Sequence, residues 1–178
     1  MTFEKVLMGE YPLFTCTSVF RKELISQIDA TEKRRFLSGD TFLWLEFSRL
    51  TKFKHLEEST AVRQVLPESA SHSRSVQRQI AFRQSGYDLA LHMMKMYGCS
   101  EDVAKVVHGK FNRSLLILAL RASDRPLAKR SYENLVVLSR EEFLPFYLKI
   151  LYGFPYLPFS ARALNWLRSS VKEMFANE

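Results

Sequence analysis

Residues 76–97 read VQRQIAFRQSGYDLALHMMKMY and mark the point from which the composition of the chain is that of helices. Gly98 follows directly, which is typical of a glycine just past a helix C-terminus. Ser100 is then placed to cap a second helix, with two acidic residues in the first turn behind it. The sequence therefore predicts a helix over 76–97 and another that runs to about Ala122.

Further helices are expected toward the C-terminus. Residues 124–126, Asp-Arg-Pro, interrupt the helical pattern. Residues 139–142, SREE, form a capping box in front of an apolar helix over 143–152. Ser160 begins a last helix after the proline-interrupted aromatic segment 154–159.

The chain before this helical region has a mixed composition. Residues 13–20, LFTCTSVF, are rich in β-formers, and residues 21–25 then turn helical in composition. Residues 52–55 and 60–66 also read as short strands. Between them, the apolar spacing of residues 41–50, TFLWLEFSRL, predicts a helix.

The expected fold class is α+β and mostly α, with a small incomplete sheet followed by a C-terminal helical region. The two predicted domains are residues 1–75 and residues 76–178. Three or four short strands cannot cover both faces and both edges of a sheet by themselves. The helices must cover them, or the sheet continues in another chain or in a missing N-terminal segment.

The composition is that of a basic globular protein. Apolar residues make up 47% of 178 residues, enough to bury a core. Only 6 glycines occur, and neither G-x-G-x-x-G nor G-x-x-x-x-G-K-[ST] is present, which disfavours a glycine-rich phosphate loop. The net charge of +7 favours anionic partners such as nucleotide diphosphates, nucleic acid or acidic lipid.

Cysteine usage and hydropathy favour a cytoplasmic location. Cys16 and Cys99 lack nearby Cys or His spacing, so neither a zinc site nor a disulfide framework is indicated. No stretch approaches the roughly 20 apolar residues of a membrane-spanning helix, and no secretory signal opens the chain.

The order of the N-terminal segments is more specific than their composition. Residues 11–17, YPLFTCT, and 19–24, VFRKEL, resemble the segment that precedes the catalytic loop in bacterial family-2 glycosyltransferases. Residues 39–46, GDTFLWLE, resemble the family's Gly-Asp turn and the aromatic-rich helix after it. Residues 60–62 and 68–73 resemble the strand and the Ser/His loop that follow.

The resemblance covers about residues 2–98 and implies an inverting transfer of a sugar. The sugar would pass from a nucleotide-sugar donor to a hydroxyl of a glycan acceptor, as in polysaccharide biosynthesis. Asp40 stands at the position of the catalytic base, and such a base contributes about 10²- to 10⁴-fold in rate. The alternative is that Asp40 only caps the helix that follows it.

The resemblance also implies substrate-binding residues. Trp44 and Phe42 would form an aromatic platform for the acceptor sugar, with core packing as the alternative. Ser71 and His72 lie in the loop that approaches the donor diphosphate, where the His72 imidazole would bind a metal ion or simply be exposed. Arg63 is shifted by one residue from the family's basic position, which on a strand reverses its face, so its substrate-binding role is in question.

The family's D-x-D metal motif would precede Tyr11, and no D-x-D occurs in the chain. The intact enzyme is expected to use Mn²⁺ or Mg²⁺ to neutralise the leaving diphosphate, whereas this chain alone is expected to hold no metal. The chain is therefore interpreted as an acceptor-side fragment that is inactive alone. Its partner would be a nucleotide-binding half or a second copy.

Two alternatives remain open. The chain is a non-catalytic basic helical module that binds protein or, less favoured, nucleic acid through residues such as Arg74, Arg78 and Arg83. Alternatively, the aromatic residues of 143–159, with nearby basic residues, form a face for peripheral membrane contact.

Overall fold

A computed structural model describes residues 2–10, 13–56, 62 and 73–138. Every regular element in these ranges is helical. The α-helices are α1 (Phe3–Met8), α2 (Ala30–Lys33), α3 (Gly39–Leu50), α4 (Val76–Tyr97), α5 (Glu101–Ala122) and α6 (Arg125–Leu138). Short 3₁₀ helices at Thr15–Thr17 and Lys22–Gln27 precede α2. The expectation of a mostly helical class is confirmed.

The small sheet expected in the N-terminal part is not found among the described residues. Residues 13–20 form a 3₁₀ turn with extended flanks, and residues 52–55 are irregular. Most of the third expected strand, 60–66, lies outside the described ranges. β-propensity reports only that a side chain suits a half-buried surface. Phe20 covers part of its surface without a sheet, because the centroid of its ring lies 4.9 Å from the centroid of the Phe47 ring on α3.

The predicted ends of α4 and α5 are confirmed. Gly98 has φ +71°, and its N–H donates to the carbonyl of Met94. This left-handed φ is the reason that a glycine ends α4. The Ser100 hydroxyl accepts from the Val103 N–H at 3.4 Å, as expected for the N-cap of α5.

Helix α6 was not predicted from the sequence. Asp124 caps it, since one carboxylate oxygen accepts from the Leu127 N–H at 3.1 Å. Pro126, which looked like an interruption, lies in the first turn, where its missing N–H costs no hydrogen bond. The helices expected over 143–152 and after Ser160 lie outside the described residues.

The chain divides into two compact units, Met1–Phe111 and Asn112–Glu178. The division falls within α5 rather than between residues 75 and 76, where the composition changes. The domain boundary predicted after residue 75 rests on that change in composition, and it stays a prediction.

The core of the first unit is formed by apolar side chains from α1, α3, α4 and α5 and by Ile28, which precedes α2. Phe47 is 1% exposed and Met93 is fully buried. The remaining members are Val6, Leu7, Ile28, Phe42, Trp44, Leu45, Leu89, Ala90, Val103 and Val107. Burial of each large side chain contributes about 1.5–3 kcal/mol, so this cluster is the main source of stability in the unit.

A polar network joins α3 to the end of α4. Glu46 is 7% exposed, and its carboxylate accepts from the Tyr97 hydroxyl at 2.8 Å and from Arg49 at 3.1 Å. The Arg49 guanidinium lies 3.4 Å from the centroid of the Tyr97 ring. Burial and then the Glu46 carboxylate raise the pKa of Tyr97, which keeps its hydroxyl protonated as the donor. The buried carboxylate is therefore satisfied on both oxygens.

Two polar contacts hold helix α1 in place. One is with Ser100, the residue that caps α5, and the other is with Lys110 on α5. The Glu4 carboxylate accepts from the Ser100 N–H at 2.8 Å. At the other end of α1, the Lys110 ammonium donates to the Met8 carbonyl at 2.9 Å. Both contacts place a charge where the helix dipole favours it, negative at the start of α5 and positive at the end of α1.

The described part of the second unit consists of the C-terminal half of α5 and α6. Leu116 and Ala119 pack with Ala128 and Leu135 in a separate apolar cluster. Beside it, Asn112 is 2% exposed and accepts a hydrogen bond from the Asn134 side chain at 2.9 Å.

We expect the Glu46 network to contribute measurably to stability. Glu46→Ala should lower the free energy of unfolding by about 2 kcal/mol or more, because the partly buried Tyr97 phenol and the Arg49 guanidinium lose their acceptor. Glu101→Ala is the matched control, since Glu101 is exposed and also pairs with a residue on its own helix, Lys105. This control should cost less than about 1 kcal/mol. Urea denaturation measures both values, and equal losses would contradict a special role for Glu46.

Candidate functional site

Asp40 lies in the first turn of α3 with its carboxylate exposed. One carboxylate oxygen accepts from the Thr41 N–H at 2.8 Å, and the other accepts a long hydrogen bond from the Thr15 hydroxyl at 3.5 Å. The N-cap position belongs to Ser38, so Asp40 is already inside the helix and is not its N-cap residue. The positive end of the α3 dipole favours the charged carboxylate at this position. Asp40 is therefore an exposed carboxylate whose two oxygens both accept hydrogen bonds.

Trp44 and Phe42 belong to the core of the first unit, with 4% and 3% of their surfaces exposed. The Trp44 ring packs 6.2 Å from Phe20 and 5.9 Å from Phe47, measured between centroids. The ring of Phe42 stacks on Phe36 at 6.3 Å. Core packing thus occupies both rings, and a sugar would reach them only if the core opened. The acceptor platform stays a prediction that this arrangement does not support.

The indole N–H of Trp44 has no hydrogen-bond partner among the described residues. A buried indole usually finds an acceptor, because burying an unpaired donor costs free energy. Trp44 lies one helical turn after Asp40 on α3. Its indole nitrogen is therefore a buried polar atom on the same helix as Asp40.

Ser71, His72 and Arg63 lie outside the described residues, so their roles toward donor, acceptor or metal stay predictions. In the ranges that the structure describes, no group of three or more His, Cys, Asp or Glu side chains is placed to hold a metal ion. No described helix is both long enough and apolar enough to cross a bilayer.

A second polar cluster, between α4 and α5, was missed by sequence reasoning. The Tyr87 hydroxyl lies 2.5 Å from Nδ1 of His108, and the Tyr87 ring stacks on Phe111 with centroids 5.2 Å apart. The guanidinium carbon of Arg83 lies 6.0 Å from the centroid of the same Phe111 ring. Lys110 stands beside Phe111 in α5.

The spacing along each helix was the available signal for this cluster. Arg83 and Tyr87 are four residues apart, and His108 and Phe111 are three apart, so each pair shares a helix face. Nothing in the spacing shows that the two faces meet.

The three arginines of the basic-module alternative differ in their surroundings. Arg74 and Arg78 are exposed near the start of α4, whereas Arg83 is half-buried against Phe111. The three side chains therefore do not form one exposed basic stripe.

No family model matches the sequence, and the searches of curated proteins and of solved structures returned no match. The likeness to family-2 glycosyltransferases rests on the segments quoted above.

The burial of Trp44 can be tested by fluorescence. Trp166→Phe leaves Trp44 as the single tryptophan of a chain that has two. Its emission should be blue-shifted and resist acrylamide quenching, because only 4% of its surface is exposed. The same variant in denaturing urea is the control and should quench freely. Equal quenching in buffer and in urea would show that the ring is accessible and would revive the platform role.

Proposed function

We propose that this chain is the acceptor-side part of an inverting glycosyltransferase and that Asp40 is its catalytic base. One observation carries the proposal: the Asp40 carboxylate is exposed at the start of α3, within the segment 39–46 that resembles the family's Gly-Asp turn. The reaction would place a sugar on a glycan hydroxyl in polysaccharide assembly.

In the proposed reaction this chain has one chemical task, which is to accept the proton of the acceptor hydroxyl. As the acceptor oxygen forms its bond to the anomeric carbon, the bond from that carbon to the donor diphosphate breaks on the opposite face, which inverts the configuration. The acceptor proton passes to a carboxylate oxygen of Asp40. Thr15 and the Thr41 N–H orient the carboxylate. A base oriented in this way lowers the barrier because a neutral hydroxyl is a poor nucleophile.

Donor binding and metal chemistry belong to the proposed nucleotide-binding half. The resemblance implies a divalent Mn²⁺ or Mg²⁺ ion, which would neutralise the departing diphosphate. The donor atoms of the described residues do not fit such an ion, since they contain no cluster of three metal-ligating side chains. No step on this chain is therefore assigned to a metal, and His72 keeps only a proposed role.

The fragment interpretation makes a direct prediction. The full chain, incubated with UDP-glucose, UDP-galactose or GDP-mannose, a panel of glycan acceptors and Mn²⁺ or Mg²⁺, should release no nucleoside diphosphate above the protein-free background. The reason is that the chain supplies a base without a metal to stabilise the leaving group. Robust sugar transfer by the chain alone would overturn the fragment interpretation and leave the role of Asp40 open.

The role of Asp40 is tested where transfer occurs, in an enzyme that also contains the nucleotide-binding half. Asp40→Asn should lower kcat by about 100-fold or more, since an amide cannot accept the proton. The KM for the donor should change little. Asp102→Asn is the matched control, because Asp102 is an exposed aspartate in the first turn of α5.

Both variants should keep the free energy of unfolding within about 1 kcal/mol of the parent, as expected for an exposed first-turn carboxylate. Unchanged turnover in Asp40→Asn would remove Asp40 from the base position. Equal losses in Asp40→Asn and Asp102→Asn would point to helix electrostatics instead of catalysis.

The alternative function is a basic interaction module without catalysis, and the exposed Arg74 and Arg78 favour it. Its signature would be retention on heparin or nucleic acid that falls steeply with salt, because each phosphate contact releases counterions. That behaviour, together with no effect of Asp40→Asn on any transfer reaction, would favour the module over the enzyme.

A further inference from the structure

Helix α6 has a buried face and an exposed face on opposite sides. Ala128, Ser131 and Leu135 are at most 5% exposed and lie three and four residues apart, on one side of the helix. The other side carries four exposed residues with the spacing i, i+4, i+7 and i+11. These are Pro126, Arg130, Glu133 and Val137, called here the α6 stripe. At about 100° per residue, the four positions fall within about 60° of one another around the helix axis.

The apolar residues of the α6 stripe lie at its two ends. Val137 is 73% exposed in the last turn of α6, and Pro126 is exposed in the first turn. Val136, the neighbour of Val137, adds a second exposed valine. Apolar surface is stabilised when it is removed from water, so both ends of the stripe favour an apolar contact.

The charged residues of the stripe lie between these ends and have opposite signs. Arg130 forms no ion pair with any residue in the described ranges. The Glu133 carboxylate lies 3.9 Å from the Lys129 ammonium on the same helix, but both side chains are mostly in solvent, so this contact is weak. The planar fork of a guanidinium matches a carboxylate, which makes Arg130 a suitable partner for a Glu133 from outside its own helix.

The α6 stripe is complementary to an antiparallel copy of itself. Along the chain it reads apolar, cation, anion, apolar. A two-fold axis between positions 131 and 132 places residue 126 opposite residue 137 of the second copy, and residue 130 opposite residue 133. Every contact then occurs twice, as in an isologous interface. A parallel arrangement would instead bring Arg130 against Arg130 and Glu133 against Glu133, which like charges oppose.

We propose that the α6 stripe is a dimerisation surface on which a second copy of this chain packs antiparallel. The occupant is a second copy because the stripe matches itself in both apolar character and charge. A nucleic acid or an acidic membrane would need a basic surface, whereas Arg130 and Glu133 cancel within the stripe. The inference does not rest on the role of Asp40, which belongs to the other compact unit.

The length of the stripe limits the strength of this contact. Eleven residues of helix span about 16.5 Å. A single pair of helices of this length covers less than the roughly 1,200 Å² at which stable interfaces begin. We therefore expect a reversible dimer with a dissociation constant of about 10⁻⁴ M.

The first test is sedimentation equilibrium of the full chain at concentrations from about 10 µM to about 1 mM. The weight-average mass should rise from that of one chain toward that of two. A chain that stays monomeric over this whole range overturns the surface.

A charge exchange tests the pairing of Arg130 with Glu133. Arg130→Glu should weaken the dimer about tenfold or more, because it places like charges opposite each other at two sites. Adding Glu133→Arg to this variant should restore the dissociation constant to within about threefold of the parent value, since each pair is then rebuilt with its signs exchanged. Failure of the double variant to recover contradicts the pairing.

Arg113→Glu is the matched control, since Arg113 is an exposed arginine of the same unit and its replacement changes the net charge equally. At physiological salt it should change the dissociation constant less than about twofold, because exposed charges at a distance are screened. Equal effects of Arg113→Glu and Arg130→Glu would overturn the surface, because net charge alone would then account for association.

The apolar ends are tested separately. Val137→Asp should weaken the dimer about tenfold or more, because it places a charge in the apolar contact at both ends of the interface. Val106→Asp is the control, since Val106 is an exposed valine on α5, outside the stripe. Circular dichroism and thermal unfolding verify that each variant is folded. A folded Val137→Asp chain that associates as the parent does would overturn the surface.

Cross-linking tests the direction of packing. Pro126→Cys and Val137→Cys are made separately in a Cys16→Ser/Cys99→Ser background, which removes both natural cysteines. Oxidation of an equal mixture should give mainly disulfide dimers that join the two different variants, because residue 126 of one copy lies opposite residue 137 of the other. Dimers that form mainly within each variant would show parallel packing and contradict the proposal.

Discussion

Burial of one face of α3 in the apolar cluster that it shares with α1, α4 and α5 is the constraint on which the first unit depends. Phe47 is 1% exposed in the middle of that face, and the Leu89 and Met93 side chains of α4 are buried in the same cluster. Each such side chain contributes about 1.5–3 kcal/mol, so the orientation of α3 follows from its apolar stripe. The Glu46 carboxylate then fixes the end of α3 to Tyr97, because a buried charge must find partners.

The orientation of α3 separates two roles that the sequence analysis had assigned to this one helix, the catalytic base and the platform for the acceptor sugar. The aromatic side chains of α3 are used for packing, with Trp44 4% exposed. Asp40, in the first turn, is left in solvent with its carboxylate oriented by Thr41 and Thr15. A carboxylate presented by a rigid, well-packed helix is better positioned than one on a loop. The packing thus leaves Asp40 exposed while it buries the aromatic rings of the expected sugar platform.

Helix α1 is held by polar contacts at both of its ends. Lys110 stabilises the end of α1 by donating a hydrogen bond to the Met8 carbonyl at 2.9 Å. Gly9 suits the turn that ends α1, because its φ of +69° is a left-handed conformation that favours glycine.

The sequence by itself determined the mostly helical class, the ends of α4 and α5, and an acidic residue at the start of α3, because caps and apolar spacing are local properties. It failed for the strands, since β-formers need a pairing partner that local composition cannot supply. It also missed α6, where Pro126 fits the first turn. Only the tertiary structure decided that Trp44 is buried and that Arg83 lies over the ring of Phe111, because contacts between helices depend on which faces pack together.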